Sequence, residues 1–352
     1  MFDSSHIDAH AAVVGGSTGA GAVENPAPAP APAPAAPRTK ESTRMQSFIE
    51  NITYNQSIPI YKNITQLLAQ RKNDLRKETS ILFFMNGDSG LGSQLTQFAQ
   101  CAYFLNAHFN PNLYCYPYFY SNNDFFKYYD PRYRGKNTFF MYFRAARVPP
   151  DNAKLDNIYF IENHFYAYYP FFIYNTPPVA IPNNEIMLRH FYNSFNLRIG
   201  ENIFNYMHEI RTNEPGSRVI GLHVRSAFQK RHHSGGYLEM PIRMRLEKLR
   251  ERLRSSGQKY VIFLATDTKL YIKWCVDIFG TDRVQYIENI ERIENEEDSV
   301  PNFSAEATGF KLGADILYDC LALSLCDYCF VSNSNIPFII NMLNMEIPMF
   351  EY

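Results

Sequence analysis

Polar side chains that could bind an anion follow three apolar runs in the second half of the chain. The runs are "RVIGLHV", "YVIFLAT" and "DYCFV". The polar residues at their ends are His223, Arg225, Thr266, Asp267, Ser332, Asn333, Ser334 and Asn335. Ligands of open parallel sheets bind beyond the carboxyl ends of the strands. One polar strand end is ordinary, whereas three in one predicted sheet favour a binding site.

His223 and Arg225 are two residues apart, so on a strand they point to the same face. Arginine offers a planar fork of donors that suits phosphate oxygens. A histidine beside it could hydrogen-bond a base or a phosphate, or act as an acid or base. Alternatively, Arg225 pairs with a structural carboxylate and His223 is a buried core histidine. These two residues alone leave both readings open.

A glycine-rich segment, "NGDSGLGS", lies between a predicted strand and a predicted helix in the first half of the chain. Its glycines, Gly87, Gly90 and Gly92, have neither the Walker A spacing nor the dinucleotide-binding spacing. They indicate a close approach of the backbone to a ligand or to a neighbouring helix. Asp88 within the segment would face a cleft, or would serve as a turn or cap residue.

The elements that must position these residues alternate between strand and helix after a turn-rich break at "TNEPGS", residues 212–217. This alternation predicts a parallel sheet covered on both faces. A strand at Ser80–Met85, the glycine-rich segment and a helix form a similar unit in the first half, where a helical stretch is also predicted over residues 184–211. The predicted fold is α/β, with two Rossmann-type domains that face each other across a cleft. We expect a disordered Pro/Ala-rich tail over residues 1–44 and domains over residues 45–215 and 216–352.

Composition excludes several classes of partner. The chain has 34 basic and 35 acidic residues, so its net charge gives no reason to expect nucleic acid or an anionic membrane as a partner. Apolar runs fall short of the roughly 20 residues of a membrane span. The N-terminus does not resemble a secretory signal, so a cytoplasmic location is expected.

Metal and redox chemistry receive little support from the sequence. The six cysteines include one isolated CxxC, Cys326 and Cys329, and we expect all six to be buried, reduced thiols. The chain has no Asp-x-Asp motif of the kind that bridges a divalent metal to a sugar diphosphate. His233 lies in a basic loop, "KRHHSGG", which is either simply solvated or contacts a phosphate or an acceptor. An aromatic block from Leu113 to Phe143 is expected to be mostly core, with sugar-stacking platforms as the alternative.

Four motifs resemble those of the GDP-fucose-dependent fucosyltransferases of GT-B fold, the α-1,2, α-1,6 and protein O-fucosyltransferases. The segment "GLGSQLTQFAQCAYFL" is similar to the opening motif of the α-1,2 type, and "HVRSAF" to the shared His-Val-Arg motif. "VIFLATD" resembles the strand end of the α-1,6 type, and "LYDCLALSLCDYCFVSNSN" resembles the last shared motif. The matches occur in the same order as in the family.

This resemblance implies roles for individual residues. Arg225 would hold the β-phosphate of GDP, and His223 would contact the guanine side. Asp319 would accept a hydrogen bond from guanine, and Ser334 and Asn335 would line the diphosphate. The other predicted donor-binding residues are Gly90, Gly92, Thr266, Asp267, Ser332 and Asn333. The resemblance also implies an inverting reaction without a metal.

The chain departs from the family pattern after Arg225, where Ser226, Ala227 and Phe228 replace a basic residue and an acid. The catalytic base therefore has no counterpart, and the candidates are Asp88, then Glu239 and His233, with Arg225 stabilising the leaving group. The sequence predicts a metal-independent, inverting glycosyltransferase that moves fucose from GDP-fucose to a hydroxyl of an oligosaccharide or glycoconjugate. The alternatives are a transferase for another GDP-deoxyhexose and a non-catalytic carbohydrate-binding protein on a transferase scaffold.

Overall fold

The computed structural model describes residues 43–53, 58–62, 64–85, 90–119, 136–153, 157–162, 184–225, 242–294, 309–332 and 334–351. Nearly all of the predicted Pro/Ala-rich tail lies outside these residues.

The described residues of the N-terminal half form helices and two sheets. Its elements are α1 (Arg44–Asn51), β1 (Ile60–Tyr61), α2 (Ile64–Lys77), β2 (Ser80–Met85), α3 (Leu91–His108), β3 (Leu113–Tyr118), α4 (Phe139–Tyr142), β4 (Phe143–Ala145), β5 (Ile158–Ile161), α5 (Asn184–Ser194), β6 (Phe195–Leu197) and α6 (Glu201–Asn213). Strands β1, β5, β2 and β3 form a parallel sheet in that order. Strands β4 and β6 pair separately and antiparallel.

Strand β2 lies inside the first sheet because its sequence, "SILFFM", is apolar on both faces. It pairs with β3 on one side and β5 on the other. Phe83 of β2 stacks on Phe160 of β5 with the ring centroids 5.2 Å apart. The ring of Tyr116 in β3 lies 5.6 Å from the Phe83 ring, measured between the centroids. The first part of the aromatic block is therefore core, as predicted. Residues 120–135 of that block lie outside the described residues.

A five-stranded parallel sheet organises the C-terminal half. Its elements are β7 (Arg218–Val224), α7 (Ile242–Ser255), β8 (Tyr260–Thr266), α8 (Lys269–Phe279), β9 (Val284–Gln285), α9 (Gly309–Ser324), β10 (Tyr328–Val331), α10 (Ile336–Leu343) and β11 (Met349–Glu351). The strands follow the order β11, β10, β7, β8, β9. The mixed α/β architecture with parallel sheets is thus confirmed, and β7 and β8 have the bounds that their sequence pattern predicts.

The single helical stretch predicted over residues 184–211 is wrong. Helix α5 ends at Ser194, and β6 follows because its residues pair with β4 through Phe143 and Leu197. Gly200 then starts α6 with a φ angle of 130°, and a Cβ atom there would lie 2.3 Å from Leu321 Cδ2. Only glycine adopts this backbone without strain and leaves room for Leu321.

The two halves share one apolar core. Phe191 of α5 contacts Phe338 of α10, with the ring centroids 6.2 Å apart. Tyr142 of α4 stacks on Phe310 of α9 at 4.9 Å and donates a hydrogen bond to the Phe310 carbonyl at 3.1 Å. Helices α3 and α5 also pack against α10, the helix that follows strand β10 of the C-terminal sheet.

Candidate functional site

The predicted polar strand ends meet at one edge of the C-terminal sheet. In the register of the sheet, His223 of β7 is the partner of Val331 in β10 and of Ala265 in β8. Ser332 follows β10 directly, and Thr266 is the last residue of β8. The carboxyl ends of β10, β7 and β8 are therefore adjacent, which is the arrangement that the sequence pattern requires for a ligand site.

His223 and Ser332 are linked across neighbouring strands by two contacts. The imidazole Nδ1 of His223 lies 3.2 Å from the hydroxyl Oγ of Ser332, and the Ser332 backbone N–H donates to the His223 carbonyl at 3.2 Å. Both side chains are buried. A hydrogen bond to one ring nitrogen fixes the orientation of a histidine and determines which tautomer it adopts. His223 is thus held rigidly at the strand end.

Arg225 follows the last residue of β7 and is half-buried, so it lies at the same edge. It is the only one of the four predicted catalytic residues that falls within the described residues. Asp88, His233 and Glu239 lie outside them, in residues 86–89 and 226–241, and Asn333 of the predicted donor-binding set lies outside them as well.

The end of β8 is fixed mainly by contacts inside the protein. The Thr266 hydroxyl accepts from the Thr268 backbone N–H at 3.4 Å, and the Thr268 hydroxyl caps α8 by accepting from the Leu270 N–H at 3.1 Å. The Asp267 carbonyl accepts from the Ile293 N–H at 3.0 Å. This edge of the sheet is therefore tied to the segment that precedes Glu294.

Helix α10 begins at the same edge, directly after Ser332, Ser334 and Asn335. The Ser334 hydroxyl accepts from the Ile336 N–H at 3.1 Å, and Asn335 is the N-cap residue of the helix. Pro337 in the first turn suits a helix start because it has no N–H to satisfy. The positive end of the helix dipole points toward the strand ends, which favours an anion there.

Gly90 and Gly92 start helix α3 of the N-terminal half, with Gly90 as its N-cap residue. A Cβ atom on Gly92 would lie 3.0 Å from Asn335 Cβ and 3.1 Å from the Asn335 carbonyl oxygen. Glycine therefore lets the start of α3 approach the start of α10. The close backbone approach predicted from the glycine-rich segment is, at Gly92, an approach to a neighbouring helix.

Asp319 lies on α9, which packs against β7 and β8. Its Oδ1 atom is buried and has no hydrogen-bond partner within the described parts of the chain. Burial raises the pKa of this carboxyl group to about 7, although the positive charge of Arg292 acts in the opposite direction and the negative charge of Asp315 adds to the increase. A buried acceptor of this kind suits a ligand donor.

Arg292 is a residue that the sequence reasoning missed. It is only 7% exposed and lies in the segment after β9. Its Nε donates to the Thr266 carbonyl at 3.2 Å, and its guanidinium carbon lies 5.5 Å from the centre of the Tyr286 ring. The available signal was the one arginine in the otherwise acidic segment "ENIERIENEEDSV".

Two other features complete the description. A small cavity in the N-terminal half is lined by Phe98, Arg147 and His190, among others, and none of the predicted site residues lines it.

Within the described residues, no cluster of His, Cys, Asp and Glu side chains could hold a metal ion. No helix among them is long and apolar enough to cross a membrane.

Comparison with known proteins gives remote structural similarities. No family model and no curated protein sequence matches the chain. NodZ alpha-1,6-fucosyltransferase soaked with GDP-fucose matches with 16% identity and a TM-score of 0.46, over 78% of this chain and 95% of that one. POFUT1 in complex with GDP-fucose matches with 11% identity and a TM-score of 0.43, over 78% and 98% of the two chains. POFUT1 in complex with GDP matches with 12% identity and a TM-score of 0.41, over 77% and 97%.

The proteins in these three structures are fucosyltransferases.

Proposed function

We propose that this chain is a glycosyltransferase that moves fucose from GDP-fucose to a hydroxyl group of a glycan. The observation that carries the proposal is the meeting of His223, Ser332 and the start of α10 at the carboxyl edge of one parallel sheet. Arg225 lies at the same edge. Parallel sheets bind nucleotides at this edge, and the groups present there suit a diphosphate.

The diphosphate is held by a cation and a helix start. Arg225 donates its planar fork of N–H groups to the β-phosphate. The N-terminal end of α10, with Ser334 and Asn335, contributes polar groups and the positive end of the helix dipole. Gly90 and Gly92 bring the start of α3 next to the same place.

The nucleoside is recognised by His223 and Asp319. The Ser332 hydroxyl holds the His223 ring in a fixed orientation. In its ionised form, Asp319 accepts a hydrogen bond from the guanine base through its buried Oδ1 atom. Thr266 and Asp267 keep the neighbouring strand end in position, and Asn333 is a further candidate for contact with the diphosphate.

The two parallel sheets belong to a GT-B arrangement in this proposal. Residues 45–215 form the acceptor-side domain and residues 216–352 form the donor-binding domain, with the donor in the cleft between them. The contact between Gly92 and Asn335 is then a contact between the two domains beside the donor.

The reaction is a displacement with inversion at the anomeric carbon. A carboxylate, for which Asp88 is the first candidate and Glu239 the second, or else His233, removes the proton from the acceptor hydroxyl. A bond forms between that oxygen and the anomeric carbon as the bond to the β-phosphate oxygen breaks, and GDP leaves. Arg225 stabilises the negative charge that develops on the diphosphate, in place of a divalent metal ion.

The first test is nucleotide binding, measured as the rise in unfolding temperature on addition of millimolar GDP. A ligand that binds only the folded state raises this temperature. The Arg225→Ala variant should lose the rise, whereas Arg252→Ala, an exposed arginine at the end of α7, should keep it. Absence of a rise in the wild type, or an equal rise in Arg225→Ala, would refute the proposal.

The second test is turnover, measured as GDP released from GDP-fucose in the presence of a panel of glycans. Acceptor-dependent release supports a transferase. Binding of GDP-fucose without release for any acceptor would instead indicate a non-catalytic carbohydrate-binding protein. Faster release from a different GDP-deoxyhexose would retain the enzyme class and change the sugar.

A further inference from the structure

Arg292 is a buried cation whose guanidinium group is held by backbone carbonyl groups. Its Nη1 donates to the carbonyl groups of Ile287 at 2.8 Å and Ile290 at 3.0 Å, and its Nε donates to the Thr266 carbonyl. Its Nη2 is buried and has no hydrogen-bond partner among the described residues. Leaving a buried charged donor unpaired is costly, so such a group calls for an explanation.

Asp319 presents the complementary case, because its buried acceptor atom Oδ1 also has no partner in the described part of the chain. The positive charge of the Arg292 side chain lowers the pKa of the Asp319 side chain against the effect of burial. They nevertheless form no ion pair, and each retains an orphaned atom. A buried donor and a buried acceptor that do not bond to each other could both be satisfied by one third group.

Helix α9 explains why the two residues are neighbours. Lys311, Asp315 and Asp319 follow one another at four-residue spacing and so lie on one face of the helix. Lys311 donates to the Asn289 carbonyl at 3.2 Å, and Asp315 accepts from the Glu291 N–H at 3.5 Å. The segment after β9 therefore runs along this face, and Arg292 comes next in that segment.

Arg292 is also anchored to the nucleotide edge of the sheet. The Thr266 carbonyl that accepts from Arg292 Nε is the last one of β8, next to the end of β7. Tyr206 of α6 donates to the Tyr286 carbonyl at 3.1 Å, and the Tyr286 ring lies against the Arg292 guanidinium. The backbone bonds fix the guanidinium group in place, so the orientation of Nη2 is set before a ligand arrives.

We infer that Arg292 is a base-specificity residue that, together with Asp319, distinguishes guanine from adenine in the donor nucleotide. This inference rests on the proposed function, and it adds a residue that the fucosyltransferase resemblance does not supply. Arg292 Nη2 donates to the guanine O6 atom, while Asp319 accepts from the N1–H and N2–H groups beside it. Adenine carries an amino donor in place of O6, so it would face the Arg292 donor with another donor.

The inference predicts which nucleotides respond to loss of the guanidinium group. The Arg292→Met variant keeps the length of the side chain and removes its donors. Its affinity for GDP, measured by calorimetry, should fall by about 10- to 100-fold, because a hydrogen bond to a charged group is lost. Affinity for inosine diphosphate, which keeps O6, should fall by the same factor. Affinity for ADP should stay the same or increase.

The changes in ADP and GDP affinity distinguish a role of Arg292 in recognising the base from a role in holding its own segment in place. If Arg292 only anchors its segment, Arg292→Met should weaken GDP and ADP binding by the same factor, which would overturn the inference. Equal binding of GDP and ADP by the wild type would overturn it as well. If Arg292→Met does not fold, Arg292→Lys, which keeps the charge but not the planar fork, is compared in its place with the same expectation.

Failure of the proposed function would look different. In that case the wild type would bind neither GDP nor GDP-fucose, and there would be no GDP affinity with which to compare the affinity for ADP. Tight GDP binding without turnover would leave Arg292 as a base-reading residue of a binding protein.

Discussion

Gly92 at the start of α3 lies directly against Asn335 at the start of α10, and a Cβ atom on Gly92 would approach Asn335 Cβ to 3.0 Å and its carbonyl oxygen to 3.1 Å. The two residues belong to different halves of the chain, and both were predicted to contact the donor. The glycine-rich segment and the polar end of β10 are far apart in the sequence, and this contact places them side by side.

The Gly92→Ala substitution should destabilise the protein. Alanine normally stabilises a helix by about 1 kcal/mol relative to glycine. Here the added methyl group meets backbone atoms of Asn335, which cannot rotate away, and overpacking of this kind costs about 1–3 kcal/mol. We expect a lower unfolding temperature and weaker GDP binding, because the start of α10 must shift.

Gln100→Ala serves as the control for helix propensity, since Gln100 is a half-buried position on the same helix. Its unfolding temperature and GDP affinity should remain close to those of the wild type. A Gly92→Ala protein that is as stable as the wild type and binds GDP equally well would contradict the close contact with Asn335.

The Ser332→Ala substitution should weaken nucleotide binding by releasing the His223 ring. The hydroxyl lies 3.2 Å from His223 Nδ1, and both residues are buried. Loss of a buried partner costs about 1–3 kcal/mol of stability. GDP affinity, measured by calorimetry, should fall about 5- to 10-fold because the ring no longer has a fixed orientation.

Ser324→Ala is the matched control for this change. Ser324 is also buried, and its hydroxyl donates to the Leu321 carbonyl at 2.7 Å, at the end of α9 opposite the strand ends that hold His223. It should lower stability to a similar degree while leaving GDP affinity unchanged. Equal GDP affinities for Ser332→Ala and the wild type would show that the His223–Ser332 pair has no part in binding.

Local sequence patterns predicted several strands of the two parallel sheets and the polar strand ends. Strands β2, β7 and β8 are runs of apolar residues long enough to fill a buried parallel strand, so their bounds follow from the pattern alone. The break between α5 and α6 could not be predicted in this way. It depends on the pairing of β6 with β4 and on the approach of Leu321 to Gly200, both of which are tertiary contacts.

Arg292 illustrates the same limit within the site. An arginine in an acidic segment is normally solvent-exposed, and nothing local indicates burial. It is buried here because β8 and the backbone of its own segment provide carbonyl acceptors for two of its nitrogens. Asp319, by contrast, could be singled out from a motif that resembles one of a known family, although the burial of its Oδ1 atom could not be predicted.

The six cysteines should be unreactive in the folded protein. All are buried and reduced, as expected from the sequence. Burial raises the pKa of the Cys326 thiol well above its usual range, and the hydrogen bond and nearby charge of Cys329 add to this. Reaction with a thiol reagent at pH 8 should be at least about a hundredfold slower in the folded state than in guanidinium. Rapid modification of the native protein would contradict the burial.

Asp319 should lower the stability of the protein without nucleotide at neutral pH. Burial raises its pKa from 3.8 to about 7. The folded state therefore binds a proton more tightly than the unfolded state, and stability falls as the pH rises from about 4 to about 7. Asp319→Asn should remove this loss, which amounts to as much as about 4 kcal/mol above pH 7. Thermal unfolding at pH 4 and pH 8 measures the difference.

Asp315→Asn is the control for that measurement, because Asp315 lies on the same helix and pairs with Lys311 at 2.5 Å. It should bring no gain in stability at pH 8, since an ion pair is lost. An unfolding temperature of Asp319→Asn that does not exceed that of the wild type at pH 8 would mean that Asp319 is not an unfavourably buried carboxylate.

The affinity for the donor should have the opposite pH dependence, because guanine requires the ionised form of Asp319 as its hydrogen-bond acceptor. With a pKa of about 7 for the carboxyl group, the ionised fraction rises about tenfold between pH 6 and pH 8, and the affinity for GDP-fucose should rise with it. GDP-fucose is the suitable ligand because its β-phosphate is esterified and does not titrate in this range, unlike a terminal phosphate. Asp319→Asn should bind more weakly and lose most of this pH dependence, whereas Asp315→Asn should keep it.

Arg292 should set the midpoint of that pH profile. Its positive charge lowers the pKa of Asp319 against the effect of burial. In Arg292→Met the midpoint for GDP-fucose binding should therefore move to higher pH, in addition to the loss of affinity from the missing donor. A weaker affinity with an unchanged midpoint would contradict this. It would mean that the Arg292 charge lies too far from Asp319 for both side chains to contact one guanine base.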